Sequence, residues 1–156
     1  MQNENTAALL DYFAQQQTSV QWRGFLAALA QEFDSQLETS QLRQLMARIG
    51  ARFASSHPAL GCATLDDFAA FLNGLWTSLD WGYVNLTERD EYLLIEHCCA
   101  PLGAFGEEAG RWTPAFLEGA YQTWLSALGA QGLSVVQTSA FGEDSSLEFR
   151  LGRHPA

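Results

Sequence analysis

Trp81-Gly82-Tyr83-Val84-Asn85-Leu86-Thr87-Glu88-Arg89-Asp90-Glu91-Tyr92-Leu93-Leu94-Ile95-Glu96-His97-Cys98 is the stretch in which the chain changes period. Two runs rich in aromatic and branched residues, Trp81 to Leu86 and Tyr92 to Cys98, flank the polar turn Thr87-Glu88-Arg89-Asp90, and that pattern predicts two paired strands. Everything before it repeats at helical spacing. The boundary makes this an α+β chain: a helical N-terminal half, then a small antiparallel sheet.

Working back toward the N-terminus, Phe68, Phe71, Leu72, Leu75 and Leu79 share one helical face. Thr64 offers that helix an N-cap, with Asp67 at the capping-box position. Leu42, Leu45, Met46, Ile49 and Phe53 define a third helix over 40–54, and Phe25, Leu26, Leu29 and Phe33 a second over 22–33. Residues 4–17 carry Leu9, Leu10 and Phe13 on one side and end in Gln15-Gln16-Gln17, which predicts a weak helix within a mobile segment 1–17.

Working forward, the span 100–111 holds Pro101, Gly103, Gly106 and Gly110 and is expected to be a surface loop. Thr113 is expected to cap the next helix with Pro114 at its first position, where the missing N–H costs nothing. Phe116, Leu117, Tyr121, Trp124, Leu125 and Leu128 build that helix, which stops at Gly129. Strands over 133–139 and 146–151 close the chain as a hairpin across Phe141-Gly142-Glu143-Asp144. The expectation is one domain over 1–156, with a four-stranded antiparallel sheet and one inserted helix.

Composition narrows the function. The 156 residues carry a net charge of −10, and all eight basic residues are arginine. A nucleic-acid phosphate backbone or an anionic lipid surface would be repelled. No apolar run nears the ~18 residues that span a bilayer, so no direct membrane insertion is expected. Met1-Gln2-Asn3-Glu4-Asn5 lacks the basic start and apolar run of a signal peptide. Three cysteines, two of them adjacent, fit a reducing compartment, so the cytoplasm is expected.

No catalytic set assembles from the sequence. His97, Cys98 and Cys99 are metal-ligand types, but neighbouring strand residues face opposite sides, so buried structural thiols are expected instead. The histidines His57, His97 and His154 complete no nucleophile triad. The acidic pairs Asp66-Asp67, Glu107-Glu108 and Glu143-Asp144 read as solvated or as helix N-terminal charges. The glycine-rich span 103–110 lacks the Lys and Ser/Thr of a phosphate cradle. No cofactor or metal is expected.

Two signatures decide the functional reading: Asp80-Trp81-Gly82-Tyr83-Val84-Asn85-Leu86, and the segment from Gly106 to Trp124. The second contains Gly106, Glu107, Ala109, Gly110 and Trp112, followed by Pro114, Leu117-Glu118-Gly119, Tyr121 and Trp124. Together they resemble the D subunit of bacterial cellulose synthase. That resemblance implies a non-catalytic accessory protein, a homo-octamer built from dimers, enclosing passages for nascent β-1,4-glucan chains beside the other synthase subunits. It implies a cytoplasmic location at the membrane-bound complex, with the periplasm as the alternative. Trp81, Tyr83, Trp112, Tyr121 and Trp124 then map to fold and assembly. The passage maps loosely to residues 1–17, where Asn5, Tyr12, Phe13 and Gln16 are the residues expected to meet glucan. Two other readings stay open: a small ligand-binding regulatory domain with Cys98 or Cys99 near the mouth of its site, and a glycan-active enzyme using Glu107 or Glu118.

Overall fold

The computed structural model describes residues 2–142 and 145–153, without the side chain of Gln2. Five α-helices among them are α1 (Gln2–Gln17), α2 (Val20–Gln36), α3 (Thr39–Ser56), α4 (Leu65–Ser78) and α5 (Ala115–Ala127). The strands are β1 (Tyr83–Glu88), β2 (Tyr92–Cys98), β3 (Ser134–Gln137) and β4 (Leu147–Gly152). They form one antiparallel sheet in the order β1-β2-β4-β3, so the last strand inserts between β2 and β3. The α+β architecture with α5 inserted between strand pairs matches the pattern change at residue 81.

The helix signals in the sequence act as read at α4. Thr64 Oγ1 accepts from the Asp67 backbone N–H at 3.1 Å, and the Asp67 carboxylate accepts from Thr64 N–H at 3.1 Å and Ala63 N–H at 3.0 Å. Three departures have physical causes. Residues 100–111 are not a plain surface loop: they wind into two 3₁₀ helices, η1 (Pro101–Phe105) and η2 (Glu107–Arg111), which bury Leu102 and Ala109. Thr113 does not cap α5. Its hydroxyl donates back to the Ala109 carbonyl at 2.9 Å, and Pro114, already in helical conformation, precedes the first residue Ala115. Strand β1 begins at Tyr83, because Gly82, at φ +79°, turns the chain where an added Cβ would overlap the Cys98 carbonyl.

Helix α5 is the centre of the molecule, buried on nearly every side. It lies directly against α3, and two glycines make that approach feasible. A methyl group at Gly119 would overlap the Ala47 carbonyl, and one at Gly50 would overlap the Phe116 carbonyl. Helix side chains occupy some of the outward backbone groups on both sheet edges. At β1, the Asn73 amide accepts from Val84 N–H at 2.8 Å and donates to Val84 C=O at 3.0 Å. At β3, Gln122 Oε1 accepts from Val135 N–H at 2.7 Å and Glu118 Oε2 from Gln137 N–H at 2.9 Å. At Val84, Val135 and Gln137 these bonds occupy backbone groups that an edge strand would otherwise offer to another strand.

Candidate functional site: a locked aromatic core beneath an exposed aromatic arm

The two signature segments meet at a buried polar chain. Tyr121 on α5, His97 on β2 and Trp76 on α4 are fully buried. Trp76 Nε1–H donates to the Tyr121 oxygen at 3.1 Å, and that hydroxyl lies 2.5 Å from His97 Nδ1. His97 Nε2 lies 2.7 Å from the Trp81 carbonyl oxygen. A carbonyl only accepts, so Nε2 carries the proton, Nδ1 accepts from Tyr121, and the Tyr121 oxygen accepts from Trp76. Every group is satisfied only with His97 neutral. Burial pushes its pKa down to about 4 against a weaker opposing effect of the Trp81 carbonyl, and burial raises the Tyr121 phenol well above its usual value.

Rings pack around this chain. Trp76 stacks on Phe53 and on Trp81 with centroids 5.7 Å apart in each case, and meets Trp124 edge-on at 5.7 Å. The indole N–H groups of the second signature are also committed. Trp112 donates to Asp34 Oδ1 at 2.9 Å, tying η2 to α2, and Trp124 donates to the His57 carbonyl at 2.8 Å, tying α5 to the end of α3. Trp112, Tyr121 and Trp124 are therefore core residues, and Trp81 is half-buried against them. Tyr83 is different: it is 48% exposed, and its hydrogen bond with the Cys98 thiol opposite on β2 holds its phenol above the ordinary value.

Sequence reasoning passed over Trp76 and gave His97 no structural task. Trp76 was legible, since Phe68, Leu72 and Trp76 fall at successive i+4 positions. The role of His97 was not, because its partner lies on another element. The thiols depart from expectation: Cys98 and Cys99 are half-buried rather than buried. Among the described residues, no group of three His, Cys, Asp or Glu side chains converges as a metal site. Glu143, Asp144 and His154 lie outside the described residues.

The residues assigned to the passage sit on α1, a continuous helix reaching Gln17. Asn5, Tyr12, Phe13 and Gln16 are all exposed, Tyr12 at 58% and Phe13 at 56%. On α2, Trp22 and Phe25 pair edge-on at 5.8 Å while more than half exposed. The arm is anchored by Arg23, which donates to the Thr18 carbonyl at 3.1 Å and to the Gln15 carbonyl, and by Gln17 Nε2 donating to the Cys99 carbonyl at 3.3 Å. No helix is long and apolar enough to cross a membrane among the described residues.

A family model describing the D subunit of cellulose synthase matches residues 8–152. The chain belongs to this family of cellulose synthase D subunits. Among curated relatives, the cellulose synthase operon protein D of Komagataeibacter xylinus is 32% identical over 124 residues, spanning 77% of this chain and 80% of that protein. The protein of the same name from Komagataeibacter sucrofermentans matches equally. Membership of the family ties the chain to cellulose synthesis. Among solved structures, trafficking protein particle complex subunit 3 from Naegleria fowleri, covalently bound to palmitic acid, superposes with a TM-score of 0.56 at 13% identity. It covers 85% of this chain and 93% of that one, a likeness of fold.

Proposed function

We propose that the chain is a non-catalytic accessory subunit that assembles with its own copies into a cylinder, an octamer built from dimers, and guides nascent β-1,4-glucan chains toward export and ordering. One observation carries this reading: the family's signature rings lock a core, while a separate set of aromatic and apolar residues stands exposed on α1 and the start of α2. Large exposed apolar patches mark interaction surfaces, and Trp22 and Phe25 on α2, outside residues 2–17, are the rings this reading assigns to association. Helix side chains occupy edge groups at Val84, Val135 and Gln137, which favours association through the helices rather than strand addition. Closed symmetry would pair the same face on each member of a dimer. The exposed face of α1 carries neutral amides and two rings, a chemistry suited to a polymer with hydroxyls on its rim and C–H groups on its faces. Many weak contacts let such a chain slide. Other synthase subunits are the partners this role requires, at the cytoplasmic side of the complex.

Glu118, one of the two carboxylates of the enzyme reading, is engaged by Arg43 Nη2 at 3.2 Å and by the Gln137 amide. Deleting residues 2–17 tests the proposal. Cellulose yield or crystalline order in cells should fall while the melting temperature and particle mass stay nearly unchanged. Normal cellulose from the deletion strain would remove the passage assignment. The ligand-binding reading draws on Cys99 beside a cleft of about 280 Å³ that Leu10 and Phe13 also line. A small molecule released in stoichiometric amount on denaturation, seen by mass spectrometry, would favour it instead.

A further inference from the structure

We propose that Cys98 and Cys99 form a hydroperoxide-sensitive dithiol that closes into a disulfide between adjacent residues and loosens the anchor of α1. The site stands independently of the assembly and conduit readings. It follows from how the sheet ends. Side chains alternate along β1 and β2: Val84 and His97 point into the core, so Tyr83 and Cys98, paired across the two strands, share the outer face. That alternation stops at Cys98, the last residue of β2, because Cys99 takes a left-handed conformation at φ +63°. A residue with a Cβ is held there only by its surroundings, and such outliers gather at functional sites. Both thiols are half-buried. Both also raise the Tyr83 phenol, Cys98 chiefly through its hydrogen bond and Cys99 through its charge. Two sulfurs on adjacent residues therefore lie near one hydroxyl.

Adjacent Cα atoms sit about 3.8 Å apart across a trans peptide, short of the ~4.4–6.8 Å usual for a disulfide. A bond between them is strained and easily reduced, which suits a reversible signal rather than a structural staple. A hydroperoxide is the oxidant. Cys99 lines a cleft of about 280 Å³, ample for so small a molecule. Its thiolate attacks one peroxide oxygen, the O–O bond breaks, and the departing hydroxide takes up a proton and leaves as water. The Cys98 thiol then attacks the Cys99 sulfenic acid: the S–S bond forms, the S–O bond breaks, and a second water carries off the thiol proton. Two electrons pass from the sulfur pair to the peroxide.

Closure turns the peptide between the two residues, and two neighbours feel it. Gly82 is packed so closely that an added Cβ would overlap the Cys98 carbonyl. Gln17, at the end of α1, donates to the Cys99 carbonyl at 3.3 Å. The backbone at Gly82 leaves no room to give, so the Gln17 bond yields and the end of α1 loosens.

Intact-mass spectrometry tests the site. The full chain, treated with hydrogen peroxide and then alkylated with iodoacetamide, should lose two hydrogens and take up one alkyl group, at Cys62 on the loop between α3 and α4; dithiothreitol should restore all three thiols. Cys62→Ser should close as wild type does. Cys98→Ser should instead hold a sulfenic acid at Cys99 that dimedone captures. Three alkylated thiols after peroxide, sulfinic acid without closure, or a bond to Cys62 or between two chains would overturn the site. Chymotrypsin reads the arm. Peroxide should speed cleavage after Tyr12 and Phe13 about fivefold, the worth of one hydrogen bond. It should not do so in Cys98→Ser, nor in Gln17→Ala, whose cleavage should already be raised. Closure in wild type with cleavage unchanged would overturn the coupling to α1.

Discussion

Tyr121→Phe removes one oxygen and leaves the ring. The Phe149 and Trp124 contacts at 5.7 and 5.9 Å therefore persist, and no large cavity opens. What changes is the polar chain. Trp76 Nε1–H loses its acceptor and His97 Nδ1 its donor, both out of reach of solvent. Each buried group left unsatisfied costs about 1–3 kcal/mol, so the variant should lose about 2–5 kcal/mol. For a chain of this size each kcal/mol lowers the melting temperature by roughly 2–4 °C, so about 10 °C is expected. Urea titration followed by tryptophan fluorescence, at fixed protomer concentration, should show a lower midpoint at unchanged slope. A variant melting within about 1 °C of wild type would refute the claim that this hydroxyl locks the two signatures together.

The same chain fixes a pH dependence. His97 titrates near pH 4 when folded and near 6.5 when unfolded, so between these values the unfolded state binds the extra proton. Its contribution is complete above pH 6.5 and is lost as pH falls toward 4, a total of about 3 kcal/mol, and His97→Gln should flatten that part of the stability–pH curve. Trp112→Ala and Trp124→Ala should each cost roughly 3–5 kcal/mol, because both rings are in the core, with folded particles of unchanged mass; light scattering showing smaller particles at an unchanged melting temperature would place them at an interface instead.

What was legible in the sequence was periodic. The Thr64–Asp67 capping box and the strand run from Tyr92 to Cys98 are local patterns that the structure keeps, and the α3 helix forms with small shifts at its ends, although Ile49 of its expected stripe is exposed and Gly50 and Ala54 are buried instead. Residues 100–111 misled because glycine and proline mark turns, while the burial of Leu102 and Ala109 depends on α2 lying over them. Gly50 and Gly119 carried no local sign of their task, since the constraint is the backbone of a different helix. His97 depended on a hydroxyl 24 residues away. Of the four residues expected to meet glucan, Phe13 lines a small cleft with Leu10 and Gln17, while Asn5, Tyr12 and Gln16 stand exposed on α1.

The central claim is that this protein works as a closed assembly of its own copies. Multi-angle light scattering on the full chain at micromolar concentration and moderate salt tests it most directly. The account predicts one species well above a dimer, with eight copies as the expected mass, and a monomer under those conditions would contradict it.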